Sequence, residues 1–503
     1  MNEMEDIIIG KHTLESLTSG MYADPFVLYR EYIQNSTDAL DMAAEEGLIT
    51  DKEGVIEIIL EPSENRIVIY DNGTGIKKIK AEQTLLSIGN SNKREDKSRG
   101  FRGIGRLSAL GYCSVLKFET TFLGENIGSR IIIDAKRLSS LLFDDHSNTS
   151  MIDVLSQVCS MDIYQEEEKK HYFRVIMDGV EPSSNLLNKS LVVDYISQNA
   201  PVPYNHSTFS WGNEIERRIE NAGYRIKNYN ISLYYGEEHI HITKPYRDEF
   251  LVDKSKNTYD KIKDISVFRY VLNKDIKALG WIAKTEYLGS IYDRSIKGIR
   301  LRKGNIQIGN FQTLNTVFKD SRFNGWSIGE IFVLDPTVIP NARRDDFERN
   351  QAYYSLIEQL MDQAVSITKT IRSASLHRNR ELSKAIKATE KAKTEINEAL
   401  NEAIITGHEK GQLTKKLSRA KEAVNSITVN DSGQEYYRKI AFDELDVLTD
   451  RLKGATRFKA INLLDSLSNT EKRILEKVID TLFIEMGDKA EEISEVILKG
   501  FKR

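Results

Sequence analysis

The sequence predicts an α+β fold: an N-terminal α/β sandwich, a mixed α/β middle region and an all-helical C-terminal region. Strand-like and helix-like stretches interleave up to about residue 375, and none of the eight prolines lies beyond Pro340. The remainder is rich in Ala, Glu, Lys, Leu and Ile, as continuous helix requires, because proline breaks a helix interior. A chain of 503 residues exceeds one hydrophobic core, so three domains are expected, at 1–205, 206–375 and 376–503.

In the first region VIEIIL (Val55 to Leu60) and RIVIYD (Arg66 to Asp71) read as strands joined by a polar turn at Pro62. RIIIDA from Arg130 and YFRVIM from Tyr172 read as two more. The helical NLLNKSLVVDYIS is followed by the two prolines of NAPVPYNHS (Asn199 to Ser207), which set the first boundary. ISLYYG, HIHITK, ALGWIAKTEYLG and EIFVLD supply strands to the second region, which closes on the helical QAYYSLIEQLMDQAVSITKTI. Beyond it Leu382, Ile386, Thr389, Lys393, Ile396, Leu400 and Ala403 recur at alternating four- and three-residue spacing. Leu413, Leu417, Ala420, Val424 and Ile427 do the same, with Gly407 and Gly411 marking a turn between the stripes. Either the stripes pair two subunits as a coiled coil, or they pack on each other as a hairpin. The last stretch, with Leu475, Val478, Ile479, Leu482 and Ile484, is amphipathic: it packs as an ordinary helix, or else closes a dimer or docks a partner.

A formal charge of −4 gives no global pull towards nucleic acid or an anionic membrane. Two cysteines, Cys113 and Cys159, point to a reducing compartment and read as core thiols. MNEMEDIIIG lacks the basic start of a signal peptide, and no run of about eighteen apolar residues occurs. A cytoplasmic protein with no membrane segment is expected.

Three motifs carry chemistry. In YREYIQNSTDAL, Glu31, Asn35 and Asp38 fall three or four residues apart and share one helix face. A carboxylate one turn before an amide suits a magnesium–nucleotide site. Asn35 can offer its oxygen to the hard cation, and Glu31 can polarise an attacking water. DNGTGI then follows a strand, with Asp71 an acceptor at the strand end and Gly73 and Gly75 permitting close approach. In SRGFRGIGRLSALG, Gly100, Gly103 and Gly105 form a GxxGxG loop leading into a helix-like segment, which suits phosphate. It lacks the Gly-Lys-Ser/Thr ending of a Walker loop and the βαβ context of a dinucleotide fingerprint.

In this order the three motifs resemble the GHKL ATPase superfamily, which includes the ninety-kilodalton heat-shock chaperones, DNA gyrase B, MutL, MORC proteins and histidine kinases. The resemblance implies a Bergerat-type domain that binds ATP and magnesium. Glu31 would be the general base and Asn35 the magnesium ligand. Asp71 would accept from the adenine amino group, with Gly73 beside it and Gly75 against the base. Gly100, Gly103 and Gly105 would close a lid over the phosphates, and Asp38 either contacts the nucleotide or orients its own helix. The family's threonine on a late strand is missing, for KHYFRVIM has His171 and Tyr172 there.

EIFVLDPTVIPNARRDDFERN, from Glu330, resembles the middle-domain segment of the heat-shock chaperones, in which an asparagine and an arginine reach the γ-phosphate. The matching positions are Asn341 and Arg344, with Arg343 an alternative. GFRG in the lid looks instead like MutL, although Ala342 leaves no lysine where MutL uses one. No primase-like acidic cluster supports gyrase B, and only 30 residues precede Glu31, where a histidine kinase has its phosphoacceptor helix. Two readings remain. One is a chaperone-like ATPase working as an ATP-gated homodimeric clamp on a protein client. The other is a DNA-associated clamp of MutL or MORC type, drawing on the basic stretches Lys415 to Lys421 and Thr449 to Ala460.

Overall fold

The computed structural model describes residues 24–86, 105–142, 150–401, 407–429, 432–454, 467–486 and 489–500. The chain divides after Val365 into two compact units.

The first unit opens with helix α1 (Val27–Glu45), followed by the hairpin β1 (Val55–Glu61) and β2 (Arg66–Asp71). Alternation in both strands puts Ile56, Ile58, Leu60, Ile67 and Ile69 on one face. Leu28, Tyr32, Ile33 and Leu40 of α1 join them in one core, burying the apolar face of the sheet against the helix. Next come α2 (Lys78–Leu86), β3 (Val115–Thr121), β4 (Ile127–Asp134), α3 (Ala135–Leu142), α4 (Met151–Val158), β5 (Cys159–Gln165), β6 (Tyr172–Asp178) and α5 (Lys189–Asn199). Pro201 and Pro203 stop α5, and α6 (Gly212–Asn221) precedes β7 (Asn230–Tyr235) and β8 (Glu238–His241). The sheet order is β5-β4-β3-β6-β2-β1-β7-β8. Its pairs are antiparallel except β1 with β7, so this sheet continues past residue 205. Tyr204 packs with Phe209, Tyr246 and Trp281 of a second core, whereas Ile231, Leu233 and Ile242, beyond residue 205, return to the first.

That second core lies against a sheet of order β11-β12-β15-β13-β14. Its strands are β11 (Asp264–Leu272), β12 (Asp275–Lys284), β13 (Gly298–Lys303), β14 (Ile306–Ile308) and β15 (Ile328–Val333), after a hairpin of β9 (Glu249–Asp253) and β10 (Thr258–Lys261). The strand expected over ALGWIAKTEYLG stops at Lys284. Helix α7 (Gln351–Arg378) follows the 335–350 loop.

In the second unit α8 (Arg380–Asn401), α9 (Gly407–Ser426) and α10 (Ser432–Gly454) share one apolar cluster that includes Ile396, Leu417, Val424, Leu445 and Leu452. The two heptad-like stripes therefore meet each other and a third helix within one chain. Polar seam positions are satisfied: Thr389 Oγ1 donates to Ala385 O, and Lys393 pairs with Glu444 at 2.9 Å. Gly411 lies inside α9 rather than in a turn, while residues 402–406 fall outside those described. Helices α11 (Asn469–Met486) and α12 (Lys489–Gly500) bury Leu475 and Ile479. Among the described residues no helix is long and apolar enough to cross a membrane.

Candidate functional site

Helix α1 supplies three of the candidate groups. Glu31 and Asp38 are buried and Asn35 is half-buried along the face that the spacing predicts. Tyr32, on another side of the helix, donates its hydroxyl to Arg106 O at 2.7 Å and fastens the segment that begins at Gly105. A Cβ on Gly105 would lie 2.2 Å from Glu31 Oε2, so glycine lets this backbone sit against the carboxylate without turning that side chain aside. The helix-like RLSALG is a seven-residue 3-10 helix (Gly105–Gly111). A helical dipole aimed at phosphate is thus weaker here than the sequence suggests, because the turns are few. Gly100 and Gly103, with the lid, lie outside the described residues.

Asp71 ends β2 on the edge of this face, 1% exposed, and its Oδ1 accepts from Gly73 N at 3.0 Å. The following loop rests on α1: a Cβ on Gly73 would meet that of Ala39 at 2.6 Å. Gly75 has a φ of +63°, and a Cβ there would fall 1.9 Å from Thr121 O. The backbone alone therefore demands glycine at 75. His171 Nδ1 lies 2.8 Å from Gly73 O, whereas the Tyr172 hydroxyl turns to Tyr164 and Glu166. The threonine beside the loop comes from β3: Thr120 Oγ1 accepts from Ile76 N and donates to Tyr172 O, both at 2.9 Å. Nothing in FETTF marks Thr120 out, because its neighbour in the loop is 44 positions away.

The 335–350 loop of the second sheet reaches the same face. Arg344 Nε lies 3.2 Å from Glu31 Oε1. Arg343, largely exposed, pairs instead with Asp345 at 3.2 Å. Asn341 Nδ2 donates to Asp345 Oδ1 at 2.6 Å. Arg30, which the sequence reading passed over, is buried and donates its Nη2 to Arg343 O at 2.7 Å. Its Nε is 3.8 Å from Glu31 Oε1, so two guanidinium groups flank one carboxylate.

Several buried polar atoms at this junction lack a hydrogen-bond partner: both amide atoms of Gln34 and Asn341 Oδ1, while Glu31 Oε1 and Arg30 Nε are held by ion pairing alone. Buried polar atoms are ordinarily satisfied, and such a group of orphans on a charged, glycine-lined face is what a polar ligand would complete.

Residues 26–152 match the family described as histidine kinase-, DNA gyrase B-, and HSP90-like ATPase. The chain is also 30% identical over 133 residues to the chaperone protein HtpG of Chlorobium phaeobacteroides. That stretch covers 25% of this chain, and the chain spans only 19% of the length of that relative. The chain thus carries a GHKL-type ATPase domain with weak similarity to the HSP90-like chaperones.

Proposed function

We propose that this protein binds ATP with magnesium and hydrolyses it, and that hydrolysis drives a homodimeric, chaperone-like clamp on a protein client. The observation that carries the reading is the meeting of Arg344, from the loop after β15, with Glu31 of α1. General base and transition-state cation come from different layers of the fold, so turnover would report their relative position.

In this reading buried Asp71 accepts from the exocyclic amine of adenine. Glu31 takes the proton of the attacking water, and the planar fork of Arg344 turns to the terminal phosphate and stabilises charge that develops there. Gly105, Gly103 and Gly100 let backbone N–H groups approach the phosphates, with Asn341 beside them, while Asp38 and Arg343 orient their own segments. Magnesium would neutralise phosphate charge and polarise the phosphoryl group. Among the described residues no group of three His, Cys, Asp or Glu is placed to hold a metal alone. That fits a cation held by Asn35 and by the phosphates themselves. The similarity to HtpG, a chaperone protein, supports a chaperone-like purpose. The DNA-clamp alternative leans on the basic stretch 415–421, but Lys416 and Lys421 are already paired with Glu395 and Asp446.

The test is calorimetry with Mg-ATP on the wild type, Asp71→Asn and Glu31→Ala, together with phosphate release. Asp71→Asn should weaken binding by on the order of a hundredfold, since a buried acceptor loses its charge. Glu31→Ala should bind ATP and release phosphate roughly a hundredfold more slowly or worse. A wild type that binds no ATP would overturn the reading, and salt-sensitive DNA binding without client protection would favour the DNA clamp.

A further inference from the structure

Arg344 can meet Glu31 only if the second sheet is held in register with α1, and a chain of contacts closes that ring. The β13–β14 hairpin turns at Gly304 and Asn305, both left-handed, with φ of +57° and +61°. Asn305 is fully buried, and every polar atom of its side chain is used. Its Oδ1 accepts from Lys244 Nζ at 3.0 Å, while its Nδ2 donates to Lys227 O at 3.0 Å and Asn228 Oδ1 at 2.9 Å. Its own carbonyl accepts from Arg302 Nη1 at 3.0 Å.

On one side the ring runs back to α1. Lys227 Nζ lies 2.7 Å from Asp41 Oδ1, and the Tyr229 hydroxyl donates to the same carboxylate at 2.6 Å. On the other side the three residues of β14 lead to Gly309, whose N–H donates to Arg344 O at 2.9 Å. Asp41 and Glu31 stand on one helix, so the path leaves α1, passes through Asn305 and returns to α1 at Arg344.

The hub is clamped from outside by buried charge. Glu330 of β15 accepts from Lys244 at 2.8 Å, from Arg302, and from the Tyr204 hydroxyl at 2.5 Å. Arg302 also donates to Gln198 O at 2.9 Å, at the end of α5. Apolar surfaces can slide past each other by a fraction of an ångström, whereas buried charged hydrogen bonds fix one register.

We infer that Asn305 is a positioning residue for ATP hydrolysis, the joint that keeps Arg344 in reach of Glu31. The inference rests on the hydrolytic reading above for its kinetic consequence, but its geometric consequence stands apart from catalysis.

Asn305→Gly is the cleanest variant, because glycine adopts the left-handed turn without strain and removes only the side chain. Two readouts are taken. The first is kcat set against the Kd for ATP. The second is the spin-label distance distribution between Met42→Cys and Arg349→Cys in nucleotide-free protein. Cys113 and Cys159 stay protonated at the labelling pH of about 7, since burial pushes their thiols up to about 12 and about 11. Both reporter positions are exposed.

Asn305→Gly should leave the ATP Kd within about twofold, lower kcat on the order of tenfold to a hundredfold, and broaden the distance distribution. A wild type without ATPase activity removes the hydrolytic reading, while the broadening still tests the joint. If the distribution stays as narrow as the wild type and kcat is kept, with only the melting temperature reduced, Asn305 is merely structural and the inference falls. Should Asn305→Gly not fold, Asp41→Ala cuts the same ring at its half-buried end on α1 and must broaden the distribution in the same way.

Discussion

Arg344 Nε stands 3.2 Å from Glu31 Oε1, across 313 positions of sequence, and the arginine holds a left-handed φ of +55° to do so. A non-glycine residue in that region costs roughly 1 kcal/mol or more, and surrounding structure must hold it there. Here the Arg344 N–H donates to Asn341 O and its carbonyl accepts from Gly309. Arg344→Ala removes the side chain beyond Cβ, the guanidinium included, and leaves the backbone hydrogen bonds at Asn341 and Gly309 in place. ATP affinity should change little, while kcat should fall on the order of a hundredfold. Steady-state phosphate release at saturating ATP measures it. Undiminished turnover would mean that the contact belongs to a resting arrangement with no part in the chemistry.

The parts of the site that could be read from the chain are those fixed by local geometry. Glu31, Asn35 and Asp38 share a face because helical spacing requires it, and Asp71 sits at a strand end because RIVIYD alternates up to it. What could not be read depends on long-range docking. Arg30 reaches Arg343 O, Thr120 meets Ile76, and β7 returns to pair with β1 some 170 positions later. No local pattern encodes those encounters. Adjacent arginines likewise look alike in sequence, and only the loop conformation sets Arg344 against Glu31 and Arg343 against Asp345. Gly411 misled because glycine marks turns only on average. At an exposed helical position it costs about 1 kcal/mol, which the packing of α9 against its neighbours outweighs.

Gly75 and Gly105 are both tight, but for different reasons, and substitution separates them. A methyl at Gly75 meets the Thr121 carbonyl at 1.9 Å with φ at +63°, so fixed backbone must move. Gly75→Ala should therefore destabilise the first unit by roughly 2–4 kcal/mol, read as a lower urea midpoint. A methyl at Gly105 meets only the end of the Glu31 side chain, which can rotate away. Gly105→Ala should keep the unfolding free energy within about 0.5 kcal/mol of the wild type, yet slow phosphate release at least tenfold by turning the carboxylate aside. Equal effects of the two substitutions on stability would contradict this division.

Burial should keep the two thiols slow to react. Burial raises Cys113 to about 12 and Cys159 to about 11, so at pH 8 the thiolate of each is scarce compared with a free cysteine near 8.5. Native protein should consume almost no Ellman's reagent over minutes at pH 8, and unfolded protein two equivalents at once. Prompt reaction of either thiol in the native state would place it at an accessible surface.

Glu330 gives the fold a defined acid response. Burial by itself would raise its carboxyl, but Arg302 and Lys244 outweigh that and hold it at about 2, against an ordinary 4.5. A carboxyl depressed in the folded state contributes stability that is complete above the unfolded value and disappears as pH falls through the folded one. The unfolded chain takes up this proton near 4.5 and the folded chain only near 2. Glu330→Gln removes the titration and leaves Arg302 and Lys244 facing a neutral amide, at a cost of about 3–5 kcal/mol. The stability gap between wild type and variant, measured by urea unfolding, should widen as pH falls through about 7, where burial has brought the Lys244 ammonium and only Glu330 keeps it charged, and then close progressively from about 4.5 to 2. Other carboxyls titrate alike in both proteins and cancel in the difference. A gap that stays open down to pH 2 would mean that hydrogen bonding to the Glu330 oxygens, and not its charge, holds Lys244 and Arg302 around Asn305.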